Sequence, residues 1–173
     1  MTNAAGGRIT LQGGAAQLAG TGALTNSGLI TGDGEIAKPV TNALTGEIRA
    51  TAGQALLFSG ANGTNAGRIN VLGGSVEFSQ PITNASAGTI TGHGSYFFAG
   101  GLANQGQMQF SGGNSDVYGN VALTGGAASN AKIINSAGAN VVTFFGNVVH
   151  NGSEVRTAAG SATVFYGAVS GAG

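Results

Sequence analysis

Few side chains in this sequence could do chemistry, so each can be weighed in turn. The acids are Asp33, Glu35, Glu47, Glu77, Asp116 and Glu154, and the bases are Arg8, Lys38, Arg49, Arg68, Lys132 and Arg156, with His93 and His150 beside them. Asp33 and Glu35 stand two apart, so they could share one face of an extended chain and act as a glycosidase pair. Such chemistry needs two carboxylates at about 5–5.5 Å or about 6.5–9.5 Å. The pair sits in Thr31-Gly32-Asp33-Gly34-Glu35. This glycine-rich stretch reads as a solvated turn, and it has no aromatic platform for a sugar beside it.

Metal chemistry fares no better. A site needs clustered His, Cys, Asp or Glu, and the chain has no cysteine. The two histidines are separated by nearly three repeats, so they should not meet. Gly112-Gly113-Asn114-Ser115-Asp116 has a faint likeness to a calcium-binding nonapeptide, but it occurs once and such sites need tandem copies. No serine lies in Gly-x-Ser-x-Gly, and Gly92-His93-Gly94 lacks the strand–turn–helix setting of a phosphate loop. The expectation is a protein that is not an enzyme, with no catalytic residue, no cofactor and no metal.

The elements that would position these residues come from an internal repeat. Thr2-Asn3-Ala4, Thr41-Asn42-Ala43 and Thr83-Asn84-Ala85 are identical, and Pro39-Val40 and Pro81-Ile82 extend two of the copies. Inside this long repeat runs a shorter one: an asparagine, a glycine-containing turn and then an aliphatic residue. The turn asparagines are Asn3, Asn26, Asn42, Asn65, Asn84, Asn104, Asn130 and Asn151. The aliphatic anchors are Ile9, Ile30, Ile48, Ile69, Ile90, Met108, Ile133 and Val155. A second stripe carries Val76-Glu77-Phe78, Tyr96-Phe97-Phe98, Tyr118, Phe144-Phe145 and Phe165-Tyr166. A third carries Val40, Ile82, Val121, Val148 and Val169. Late in the chain the wording itself recurs, as Tyr118-Gly119-Asn120-Val121, Phe145-Gly146-Asn147-Val148 and Tyr166-Gly167-Ala168-Val169.

Three short apolar segments per repeat, bounded by Gly, Asn and Ser, are strands rather than helices. Like residues recurring once per repeat call for parallel stacking, because one coil alone cannot bury its apolar side. The predicted fold is therefore all-β: a right-handed single-stranded parallel β-helix, or β-solenoid. It has about eight rungs of 18–25 residues with three short strands each. Handedness follows from the preference of parallel crossovers. The expected domain is a single solenoid over residues 1–173, a fragment of a longer repeat protein. Ser170-Gly171-Ala172-Gly173 stays within the repeat, with no amphipathic cap.

Two ladders follow from the stacking. Asparagine tolerates tight turns and its amide can bond its stacked neighbours, which assigns Asn26, Asn42, Asn65, Asn84 and Asn104 to a structural turn ladder. The residue before each anchor should point outward, giving the column Arg8, Leu29, Glu47, Arg68, Thr89, Gln107, Lys132 and Glu154. Glu47–Arg68 and Lys132–Glu154 are then solvated cross-rung pairs. A column of Thr10, Thr31 and Thr91 is broken by Arg49, Asn70 and Gln109, which argues against an ice-binding face.

The Asn-x-Gly-x-Ile turns, Val-x-Phe strands and Phe-x-Gly-x-Val steps resemble the β-helical passenger regions of autotransporters and filamentous-haemagglutinin-like adhesins. They also resemble repetitive exported bacterial proteins that carry sorting tails. The resemblance implies architecture across the whole chain and carries over no site. It implies an extracellular or cell-surface location, with any export signal outside this chain, since Met1-Thr2-Asn3-Ala4 lacks signal-peptide character. Equal numbers of basic and acidic side chains give no footprint for nucleic acid, and no apolar run is long enough to insert in a membrane. The expected function is a structural rod whose partners are flanking repeats or further copies stacked end to end. The alternative is a glycan-binding or polysaccharide-lyase-like module. Its platform would have to come from Tyr96, Tyr118 and Tyr166, since the other aromatics occupy core-like positions.

Overall fold

The computed structural model describes residues 1–61, 63–124 and 130–171. Ala172 and Gly173 of the terminal motif lie outside them. The described chain is all-β, a parallel β-solenoid of about eight turns. Each turn visits three faces. The first face is one nine-stranded sheet running from Thr2–Asn3 to Val169–Ser170. The second runs from Arg8–Leu11 to Glu154–Thr157, and the third from Gln17–Leu18 to Ala162–Phe165.

The anchor column sits in one register on the second face. Ile9 pairs with Ile30, Ile30 with Ile48, and Ile48 with Ile69. The column continues through Ile90, Met108 and Ile133 to Val155. Ile30, Ile69, Ile90, Met108 and Ile133 are completely buried. Two anchors depart from the expected burial. Ile9 is only partly buried and Val155 is 36 % exposed. Each has a column neighbour on one side only among the described residues, so half of its apolar surface has nothing to pack on.

The expectation of three short strands per rung holds at both ends of the rod but not in the middle. Arg68–Phe78, Thr89–Phe98 and Gln107–Tyr118 are single long strands spanning the second and third faces. The physical reason lies at Gly73-Gly74, Gly92-His93-Gly94 and Gly112-Gly113, where the ladder skips and shifts register while the chain stays extended and resumes pairing beyond. Glycine is required there: Gly92 has φ +101°, and a Cβ on it would strike the carbonyl oxygen of Val71 one rung below.

Aromatic rings occupy two neighbouring core columns. Phe58, Phe78 and Phe98 stack on one inward column, with ring centroids 4.8 and 6.1 Å apart. In later rungs glycines take that place and no side chain fills it. The adjacent column runs through Val76, Tyr96, Val117, Phe144 and Phe165, and its last two rings stack at 5.3 Å. Phe110 meets Tyr96 and Phe144 edge-on. Stacked and edge-on rings fill the interior, which tolerates neither voids nor overlap.

Candidate functional site

The asparagines form the most ordered polar feature. Asn3, Asn26, Asn42, Asn65, Asn84 and Asn104 end successive strands of the first face and point into the protein. From Asn3 to Asn84, each Nδ2 donates to the Oδ1 of the next asparagine at 2.7 Å. The same nitrogens also donate to backbone carbonyls of the following turns, such as Gly46 and Arg68 from Asn42. Buried amides cost free energy unless bonded, and here stacking supplies both partners. Asn130 and Asn151 do not join. The column continues instead through Leu123 and His150. Asn151 follows His150 directly, and a displacement of one residue turns a strand side chain to the opposite face.

The outward column before the anchors pairs as its spacing predicts, from Arg8 and Leu29 to Lys132 and Glu154. Lys132 reaches Glu154 at 3.5 Å. Glu47 does otherwise: it takes a two-pronged bond from Arg49, two residues along its own strand, with the shorter contact at 2.6 Å. Arg68 contributes to Glu47 only through its charge. The fork of a guanidinium matches a carboxylate edge to edge, so the nearby arginine wins over the cross-rung one. Partial burial raises the Glu47 carboxyl. Bonds from Arg49 and Asn70 and the charges of Arg49 and Arg68 outweigh that effect and hold it below its ordinary value.

A depressed carboxylate stabilises the fold above its unfolded pKa, and that stabilisation is lost as pH falls through the folded value. Acidification to about pH 3 is therefore expected to lower the melting temperature of the wild type more than that of Glu47→Gln. The differential is small, about 1 kcal/mol or less, because the pair is partly solvated. Equal acid sensitivity of the two proteins would rule out this role for Glu47.

Asp33 and Glu35 are brought to one shallow pocket with Gly14, Ala55 and Leu57. Thr31–Glu35 is not a free turn: Leu29–Gly32 and Gly34–Ile36 are strands, and Asp33 is the bend between them. Asp33 Oδ1 accepts from the Ala55 N–H at 3.3 Å. Glu35 accepts from Ser59 and from Gln17, and these bonds lower its carboxyl pKa. A general acid would need the opposite shift. Asn114, of the calcium-like motif, lies within a strand, and its Oδ1 caps the Val141 N–H. His93 and His150 are on different faces. Among the described residues, no group of three or more His, Cys, Asp or Glu is arranged to hold a metal.

The aromatic platform differs most from expectation. Tyr96 is wholly buried, its hydroxyl bonded to the Thr91 carbonyl at 2.9 Å, and burial pushes its phenol pKa up. Phe97, Tyr118, Phe145 and Tyr166 instead form an outer column. Their rings stack at 4.7, 4.6 and 5.3 Å and are parallel within 8°. Phe145 and Tyr166 are well exposed. Parallel register places one ring per rung, so the faces are spent on each other and the edges meet solvent. The alternation of strand side chains carries the signal: within Tyr96-Phe97-Phe98 the middle residue must point out.

Beside this ridge runs a groove of about 380 Å³. Its origin is a change in turn length. Four residues separate Phe97 from Leu102, but only two separate their register partners Tyr118 and Val121. The repeated Gly-Asn-Val step is the shorter corner. A Cβ on Gly119 or Gly146 would overlap backbone of the rung below. Asn120 Oδ1 accepts the Asn147 N–H, and Asn147 Oδ1 accepts the Ala168 N–H, each at 3.0 Å. Where long corners give way to short ones, Pro81, Gly100 and Gly101 leave a step above a floor of Thr83, Ala103 and Ala122.

No family model matches the sequence, and neither a curated protein nor a solved structure shows a significant match.

Proposed function

We propose that the chain is a non-catalytic structural rod of an exported bacterial surface, stalk or matrix protein, extended by flanking repeats or by further copies meeting end to end. The observation that carries this reading is the commitment of side chains to the stack. The inner asparagines bond one another. Outward charges pair on the surface of the stack, across rungs in Lys132–Glu154 and along one strand in Glu47–Arg49. A fold whose repeats contact only their neighbours can be lengthened without redesign, which suits a spacer or fibre. The similarity of its repeat wording to exported adhesin and matrix repeats points to the cell surface.

Negative-stain electron microscopy across a concentration series tests the assembly part. The expected images are thin filaments whose length grows with concentration, as open strand edges recruit further chains. Uniform short particles at every concentration would overturn end-to-end assembly.

A further inference from the structure

We infer that the groove beside the aromatic ridge is a binding site for an extended, uncharged oligosaccharide chain lying along the rod axis. The inference does not depend on assembly: rods that never polymerise could still bind sugar, and filaments could form without it.

Charge comes first. None of the residues lining the groove is ionisable, so it has no counter-ion for an acidic or basic ligand. A charged group entering it would lose hydration without compensation. Hydrogen-bonding polarity comes next. The Asn120 and Asn147 oxygens are spent on backbone N–H groups of the next rung, so these side chains offer the groove their –NH2 ends, one rung apart. The turn carbonyls beneath are spent too: Gly101, Asn120 and Asn147 accept from Ile82, Leu102 and Val121. The wall therefore gives donors and asks for acceptors. The floor is small and mostly apolar, Ala103 and Ala122 with the Thr83 hydroxyl at one end.

A ligand matching all three properties is neutral, presents oxygen acceptors at regular intervals and has apolar C–H faces. A chain of neutral sugar rings does so, and each ring advances by a distance comparable to the rung spacing of about 4.8 Å. A hydrocarbon chain would leave both amides unpaired. An extended peptide would need the alternating backbone donors and acceptors of a strand edge, which a sheet face lacks. The volume lies within the range of small-ligand sites, about 300–1,000 Å³.

Isothermal titration calorimetry of this 173-residue chain with a neutral β-linked glucan hexamer and with a galacturonate hexamer tests the site. The neutral hexamer is expected to bind and the anionic one to bind more weakly. Asn120→Asp and Asn147→Asp keep the oxygen that caps the next rung and remove the donor. Each should weaken neutral binding about tenfold, the worth of one hydrogen bond to ligand. Ala103→Arg, which fills the floor from an outward position, should abolish it. Circular dichroism matching the wild type would show that each variant folds. Absence of heat with the neutral hexamer, stronger binding of the anionic one, or indifference to all three substitutions would overturn the inference.

Discussion

Replacing Asn65 by leucine is expected to destabilise the protein by about 3 kcal/mol, more than the same change at Asn104. Asn65 is completely buried in mid-ladder. Its Oδ1 accepts from Asn42, and its Nδ2 donates to Asn84 Oδ1 at 2.7 Å and to the Thr89 carbonyl at 3.3 Å. Leucine matches the volume but leaves Asn84 Oδ1 without its donor in a dry interior, where an unpaired polar atom costs about 1–3 kcal/mol. Asn42 keeps other acceptors, in Gly46 and Arg68, which bounds the damage on that side. At Asn104 the column already passes to Leu123 on the next rung, so leucine there orphans no ladder oxygen beyond it. Urea unfolding gives the comparison. Hydrogen exchange should place the loosening at the rungs around Asn65, since solenoid stability is a sum over nearest neighbours. Equal losses at the two positions would mean that the amides merely fill space.

Gly88→Ala is expected to cost about 3 kcal/mol or more, for a reason unconnected with backbone freedom. Gly88 is not in the left-handed region. Its added methyl would fall well inside contact distance of the Asn65 carbonyl oxygen and of Asn84 Oδ1. Neither can retreat: the carbonyl accepts the Ala85 N–H at 2.8 Å, and the amide is held by Asn65 at 2.7 Å. The rungs must part or the ladder must break. Gly53→Ala supplies the contrast. That glycine has φ +77° and open space around it, so the change carries only left-handed strain of about 1–2 kcal/mol. A Gly88→Ala protein no less stable than Gly53→Ala would show that the stack yields more easily than its geometry implies.

Much of this architecture is legible in the sequence because parallel stacking writes each column as a repeated residue type. The anchors and the outward column before them could be aligned by counting, and the register follows. The inner asparagines could be found up to Asn104. Beyond it, the distance from asparagine to anchor ceases to mark the column, since Leu123 stands ten residues before Ile133, and Asn130 and Asn151 are false matches. Counting also hides orientation. Tyr96 and Tyr118 belong to one stripe by spacing but to opposite sides of the strand, so one is core and the other ridge. The groove was not legible at all. It arises from a difference in corner length between adjacent rungs, and no single residue encodes that.

The ladder also has a sense. Each described amide from Asn3 to Asn84 donates toward higher residue numbers, and none is reversed. Amide dipoles in such a row polarise one another, so the column from Asn3 to Asn104 is a one-dimensional polar row. That stretch of the rod therefore carries a side-chain dipole along its axis, and two such ladders side by side would attract when pointing in opposite directions.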